Sequence, residues 1–542
     1  MAKVLLMKRV LFSSIGVVFL LLFIIVMYPH SLRIKNTELN NGAYFEATDC
    51  WFEARSFPQG FKPYDWLFGL KMQRIECGYM TTRKEQGESF FRLPVVIIRH
   101  SLWRNSKHPV INISGGPGAS AWLDNESINS FWLPSIEDND WQHDIVLYDS
   151  RATGLSEPAL HCENFFQDTL ALLSKNLQPE EESSLGYQLL LNCHQQLSHD
   201  KQKINALHHL GTIKNAADIA DLAHLLKVDA WHLYGTSYGT RLALEVARQH
   251  PDVVKSIILD SVYPQEIDGE ETMPDLYLDA VEGILNACDN ELTCDLEYAN
   301  LQKKLHIILQ RLQSKPITLS LKHKGQSVNL VLTPSRFFSL LYDTGYSIST
   351  VVAVPNVIQS FYRGNLDAVY FLAQNSLDMM LDESFSNPVY LEVECNENEI
   401  RNPQAYINHI NKKYQHYPVL KRWQLSTVKD DVCNIWGSKE SDESFHQPVI
   451  TDKPTLILTG QLDSATPPEW GKTVASRLPH SEYHEFKASG HAVLYNVACS
   501  KNIVRRFLNP DKNYPAACQS NEPYDNGQRV VWDSPNMENM FE

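Results

Sequence analysis

A serine between small residues, at the end of an apolar run, is the group in this chain best placed for covalent chemistry. Gly235-Thr236-Ser237-Tyr238-Gly239 follows the strand-like Ala230-Trp231-His232-Leu233-Tyr234 and precedes the helix-forming TRLALEVARQ. Small residues on either side allow a sharp strand–turn–helix, which lifts the hydroxyl above a sheet at the positive end of the next helix. A hydroxyl attacks only when a base takes its proton. Of the 20 histidines, His491 is the best placed, in Ser489-Gly490-His491-Ala492 just after the strand-like SEYHEFKA. His484 lies inside that strand pattern and suits the task less. Asp463, where PTLILTG gives way to a turn, is the preferred acid for the far ring nitrogen; Asp260, ending IILD, is its rival. The developing oxyanion needs backbone N–H groups. Tyr238 supplies one, and the loop Gly115-Gly116-Pro117-Gly118 is suited to supply the other through Gly115 or Gly116, unless its glycines serve turn shape alone.

These residues need a frame. PVINIS precedes the glycine loop, DIVLYD precedes SRATG, AWHLY the serine, VVKSIILD the rival aspartate, PTLILTG the acid and SEYHEFKA the histidine. Each candidate thus falls at the C-terminal end of a short apolar strand, the edge on which open α/β sheets bind ligands. AADIADLAHLLK and RLALEVARQ have helical periodicity, and RIECGYMTTR with SFFRLPVVIIRH reads as an antiparallel hairpin. Strands alternating with helices, apolar on both faces, imply a mostly parallel central sheet with helices on both sides. The alternation stops near Tyr263 and resumes near Pro454. Helix-like LQKKLHIILQRLQ and TVVAVPNVIQSFY fill the interval, which reads as an inserted, largely helical cap. The order serine, acid, histidine on such a sheet is that of the α/β-hydrolase fold. The expected organisation is a leader over 1–31, a catalytic domain over 32–263 and 446–542, and a cap over 264–445.

The chain has 542 residues, 43% hydrophobic, enough for a large core, and a net charge of −16. That balance, without a Lys/Arg cluster, excludes a nucleic-acid partner. Lys3, Lys8 and Arg9 precede an apolar run from Val10 to Tyr28, which reads as a signal peptide or an uncleaved membrane anchor. Either exports the rest to a periplasmic or extracellular space. The ten cysteines form five successive couples in sequence, suggesting disulfides in an oxidising compartment. Their connectivity is open at this point. No Cys or His spacing matches a metal-ligand set, so neither metal nor organic cofactor is expected.

GGPGAS, DSRATGLSEP, YGTSYGTRLALEVARQHP and LDSVYP, followed by PTLILTGQLDSATPPEWG and SGHAVL, resemble the prolyl aminopeptidase and tripeptidyl aminopeptidase family of serine peptidases. The likeness spans roughly residues 70 to 265 and 445 to 520, and is nearest to the secreted, cysteine-containing tripeptidyl aminopeptidase-like branch. It implies a triad of Ser237, Asp463 and His491, an oxyanion hole at Gly115 and Tyr238, and peptides with a free N-terminus as substrates. Ser114 stands where that family commonly has histidine, and Ser150 and Ala152 where it has glutamine and glycine. Asp149 and Arg151 are expected to hold their loop by charge-assisted hydrogen bonds. An aminopeptidase must also hold an ammonium group. Glu394-Cys395-Asn396-Glu397 resembles a Cys-x-Glu-Asp stretch of such caps, with Asn398 in place of the aspartate. Glu397 and Glu394 are the candidates, against the alternative of solvated surface acids.

The expected activity is an exopeptidase that cleaves near the N-terminus through an acyl-enzyme on Ser237. The alternatives are an esterase or amidase on small acyl substrates, or a binding protein that keeps the fold without catalysis. Oligomeric state is not legible.

Overall fold

The computed structural model describes residues 33–55, 64–67, 70–85, 91–101, 104–398, 400–429, 431–437 and 444–514, with positions 530 and 532. The leader expected over 1–31 lies outside them. Among the described residues no helix is long and apolar enough to cross a membrane.

Ten strands make one sheet. They are β1 (Thr37–Glu38), β2 (Tyr44–Thr48), β3 (Ile75–Thr81), β4 (Arg92–Ile98), β5 (Val110–Ile113), β6 (Ile145–Tyr148), β7 (Trp231–Ser237), β8 (Val254–Val262), β9 (Thr455–Gly460) and β10 (Ser481–Phe486). Their order is β1-β2-β3-β4-β6-β5-β7-β8-β9-β10. Pairing is antiparallel from β1 through β4 to β6 and parallel from β6 to β10. The hairpin read from RIECGYMTTR and SFFRLPVVIIRH is the β3–β4 pair.

Successive residues of a strand face opposite sides, so the strands feed two apolar clusters. Ile111, Ile113, Leu233, Ile257, Leu259 and Ile457 join one, with Ile219 and Leu222 of α3 (Thr212–Leu226) and Leu242 and Val246 of α4 (Tyr238–Gln249). Val110, Leu147, Tyr234, Ile258, Leu456 and Leu458 join the other, with Trp132, Trp141 and Val504. Covered on both faces, the strands show continuous apolar runs.

Between β8 and β9 lies a third cluster, built by helices that include Gly269–Asp289, Leu301–Ser314, Val354–Tyr362 and Asp367–Met380. Two features go beyond the sequence reading of this cap. It contains an antiparallel hairpin, Ile317–His323 with Gln326–Leu332. It also draws in α1 (Phe165–Leu173) and α2 (Pro179–Ser198), which precede the serine in the chain. Leu173 belongs to the cap cluster, and buried Arg336 pairs with Glu182 at 2.7 Å while donating to the carbonyls of Leu173 and Lys175.

Disulfides join Cys50–Cys77, Cys162–Cys193, Cys288–Cys294 and Cys395–Cys433, four of the successive couples. Cys518, of the fifth, lies outside the described residues.

Candidate functional site

Ser237 ends β7 and caps α4 with φ 58° and ψ −127°, a strained conformation for a residue with a side chain. Close packing around it leaves no room for larger neighbours. A Cβ on Gly235 would sit 2.3 Å from the Gly239 carbonyl oxygen, and one on Gly239 would sit 2.2 Å from that of Ile113. The glycine pattern therefore has a steric reason.

The loop after β5 brings Gly115 against the serine: a Cβ there would lie 3.1 Å from Ser237 Cβ and 3.7 Å from its Oγ. Gly116, at φ +103°, is needed by the turn itself, since its Cβ would meet the backbone nitrogens of Gly118 and Ala119. Of the two candidates, Gly115 is the one beside the hydroxyl. Asp149 accepts bonds from Ala121 N–H at 2.6 Å and Leu155 N–H at 2.8 Å. Arg151 forks onto both oxygens of Asp218 at 2.7 and 2.9 Å. Asp149 ties neighbouring loops together and Arg151 ties its loop to α3, the charge-assisted bonding expected of both.

His491 is held from three sides. Its Nδ1 lies 3.0 Å from each oxygen of Asp463. Its N–H donates to Gly345 O at 2.8 Å, and the next N–H, of Ala492, donates to Ser261 Oγ at 2.8 Å. Ser261 adjoins Val262, which pairs in register with Ser237 across β7 and β8. The imidazole loop is thus anchored one strand from the serine. With its Nδ1 proton turned to the carboxylate, the ring leaves Nε2 as the basic nitrogen. Burial, the largest single influence, lowers the His491 pKa; the charge and hydrogen bond of Asp463, with the charge of Asp260, together outweigh it, and the net shift is upward.

Asp463 is oriented in turn. Oδ1 accepts the N–H groups of Ala465 and Thr466 at 2.9 and 2.8 Å, and Oδ2 the Thr466 hydroxyl at 2.8 Å. Thr466 escaped the sequence reading; the bond from Ala465 N–H, two residues after the aspartate, is the ordinary Asx-turn contact. Asp260, the rival acid, is consumed elsewhere. It accepts N–H bonds from Val493 at 2.7 Å and Leu494 at 3.0 Å, in α7 (Val493–Asn496). Tyr346, whose ring packs on His491 at 5.1 Å, comes from the cap and had no signal in the sequence.

Glu394 and Glu397 lie on α5 (Asn387–Glu397), which precedes α6 (Pro468–Arg477) in the chain. Both are buried, which rules out solvated surface acids. Glu397 accepts Thr212 N–H at 2.7 Å and Thr212 Oγ1 at 2.8 Å, at the start of α3. Glu394 accepts from Asn398 Nδ2 at 2.7 Å and Tyr263 OH at 3.2 Å. Burial pushes Glu394 up to about 8, against the opposing charge of Arg241, and pushes nearby Glu270 up to about 7. Fully buried Arg241 sits over the Tyr263 ring at 3.6 Å, with Nη1 3.7 Å from Glu397.

The family profile described as alpha/beta hydrolase fold matches residues 108–496. The chain belongs to the α/β-hydrolase fold family. It is similar to "Putative hydrolase YuaR" of Escherichia coli (strain K12), 22% identical over 487 residues that cover 84% of this chain and 91% of that one. Among solved structures, MGS-M2, an alpha/beta hydrolase enzyme from a Medee basin deep-sea metagenome library, is 14% identical with TM-score 0.36, covering 79% of this chain and 98% of its own. Rv0554 of Mycobacterium tuberculosis is 14% identical with TM-score 0.35, covering 80% and 100%. At family level, the chain is a hydrolase of the α/β fold.

Proposed function

We propose that this α/β hydrolase is an exported serine exopeptidase acting near the free N-terminus of peptides. Ser237 attacks the carbonyl carbon, His491 takes its proton through Nε2, and Asp463 stabilises the resulting imidazolium. The oxyanion is met by the N–H groups of Tyr238 and Gly115. His491 then gives its proton to the amine leaving group, and water releases the acyl portion from Ser237.

The observation that carries the reading is the His491–Asp463 pair, tethered through Ser261 to the strand beside Ser237. Support for a free-amine substrate is electrostatic. Glu394 and Glu397 lie about Arg241, Glu270 adds a third carboxyl beside Glu394, and burial holds Glu394 and Glu270 toward their neutral forms. A charge-deficient acidic nest of this kind gains most from an entering ammonium group. Both oxygens of Glu397 are already engaged by Thr212, so Glu394, with Glu270, is the better amine acceptor. Four disulfides support export.

The test compares an amino-acyl arylamide with its N-acetylated form. Faster hydrolysis of the free amine, lost in Ser237→Ala, is expected. Equal rates would leave an esterase or amidase on small acyl substrates as the reading, and failure of Ser237 to accept a fluorophosphonate would leave a non-catalytic binding protein.

A further inference from the structure

Exposed aromatic rings lie on the loop that carries Gly115, on the helix that follows His491 and on the cap. Trp122 is 41% exposed, Tyr495 46% and Tyr346 39%. Phe131 bridges the first two, its centroid 5.2 Å from Trp122 and 5.5 Å from Tyr495. The rings come from separate pieces of chain: Trp122 from the loop after β5, Phe131 from the turn Ile128–Trp132, Tyr495 from α7 and Tyr346 from the cap.

Single exposed aromatics are ordinary. The way Trp122 is held is not. Its neighbours Ala121 and Leu123 are buried, and their carbonyls accept the indole N–H groups of Trp132 and Trp51, each at 2.8 Å. Ala121 N–H is bonded to Asp149 and Trp122 N–H to Ser120 Oγ. Between these pins Trp122 takes φ 53°, a left-handed conformation that disfavours a bulky residue. The backbone is fixed so that this side chain points out, where its Nε1 reaches Ser384 Oγ of the cap at 3.3 Å. Such strain at a site edge, fixed by surrounding bonds, marks a side chain placed for contact.

The rings also have a side. Tyr346 packs on His491, and Tyr495 follows it by four residues. In the proposed reaction His491 hands its proton to the departing amine, so the ring packed on it, Tyr346, borders the leaving half of the substrate. In the same reading the acidic groups around Glu394 serve the acyl half.

We propose that Trp122, Phe131, Tyr495 and Tyr346 form an apolar subsite for the first residue of the leaving peptide, selecting an aromatic or large aliphatic side chain there. This rests on the acyl-transfer reading. It is tested with peptides identical except for the residue after the cleaved bond, first located by mass spectrometry. Phenylalanine there should raise kcat/KM over glycine by roughly three- to tenfold, the worth of one good aromatic contact. Trp122→Ala and Tyr495→Ala should bring that ratio toward one, while Trp122→Phe retains most of it. An amino-acyl methyl ester, whose leaving group is too small to reach the rings, verifies that each variant is folded and competent. A wild-type ratio near one, or a ratio untouched in both alanine variants that still cleave the ester, overturns the subsite. Absence of any turnover by the wild-type protein overturns the acyl-transfer reading itself.

Discussion

Replacing Glu394 by glutamine keeps the shape of the side chain and removes its charge. The bonds from Asn398 Nδ2 and Tyr263 OH both end on one oxygen, Oε2, which a glutamine carbonyl can replace. Burial is the largest influence on this carboxyl, Arg241 opposes it, and the pKa stands at about 8 against an ordinary 4.5. Because the folded pKa is the higher one, the unfolded chain loses the proton more readily. Folding is therefore penalised increasingly as pH rises from 4.5 to 8. The gap in pKa corresponds to a penalty of about 1 kcal/mol at pH 5 and about 4 kcal/mol at pH 8. Glu394→Gln removes it, so the variant should gain about 3 kcal/mol relative to wild type between pH 5 and pH 8. Urea midpoints at the two pH values, with unchanged m-values, measure this. The same variant should lose roughly 10- to 100-fold in kcat/KM on a free-amine arylamide, the worth of a charge-assisted contact, with little effect on the N-acetylated form. A variant less stable than wild type at pH 8 would mean that the carboxylate is already charged and paired. It would then not be waiting for a cation, and the reasoning fails.

Four further outcomes are expected. Asp463→Asn should lower kcat by roughly 10³- to 10⁴-fold, since the tautomer of His491 is no longer fixed. In wild type the acid limb of kcat/KM should fall at a pH above 6.5, because the Asp463 charge raises the His491 pKa; a limb below 6.5 would contradict that assignment. Gly239→Ala should cost about 3 kcal/mol or more through contact with the Ile113 carbonyl, whereas Gly186→Ala, in the middle of α2 with open space around it, should be neutral or stabilising. His232 is buried beside His143 and His108, and burial, then those two rings, hold its pKa down at about 3. The unfolded chain therefore binds its proton first as pH falls below 6.5, and about 2 kcal/mol of stability should be gone by pH 5. His232→Gln should flatten that decline, and an identical slope in the variant would place the acid sensitivity elsewhere.

What was legible in the sequence is what depends on local pattern. The strand ends carrying Gly115, Ser237, Asp463 and His491 could be read because buried parallel strands leave unbroken apolar runs that stop at functional turns. The sheet and its flanking helices follow those runs. Contacts made across long chain separations left no such trace. Nothing near Tyr346 marks it as the ring that packs on His491, 145 positions away. Ile317–His323 does alternate apolar and polar residues, but its hairpin with Gln326–Leu332 lies among long helix-period stretches that dominate the pattern of the whole segment. The attachment of α1 and α2 to the cap depends on Arg336 reaching back to Glu182, a partner that no periodicity indicates. Glu394 and Glu397 were found by resemblance, but which of them is free to meet a ligand depended on Thr212, known only from the fold.

The bonding of the histidine loop also limits how the cap can work. A Cβ on Gly490 would sit 2.2 Å from Gly345 O, and one on Gly345 would sit 2.4 Å from Ser464 Oγ. The cap segment around Gly345 is therefore wedged between the acid loop and the base loop, with bare backbone on both sides. Asn496 adds a clasp, its Oδ1 accepting Ile348 N–H at 3.0 Å while its amide holds the His491 carbonyl. Leu462, one residue before the acid, is buried in the cap's own apolar cluster. Swinging the cap away would break the bonds that aim His491 and pull on the residue beside Asp463. A lid that opens for every substrate would dismantle the proposed charge pair each time. The cap is better understood as a fixed part of the proposed site, held on its other edge as well, where Ser386 N–H donates to Gly118 O at 2.9 Å and Trp122 Nε1 to Ser384 Oγ at 3.3 Å.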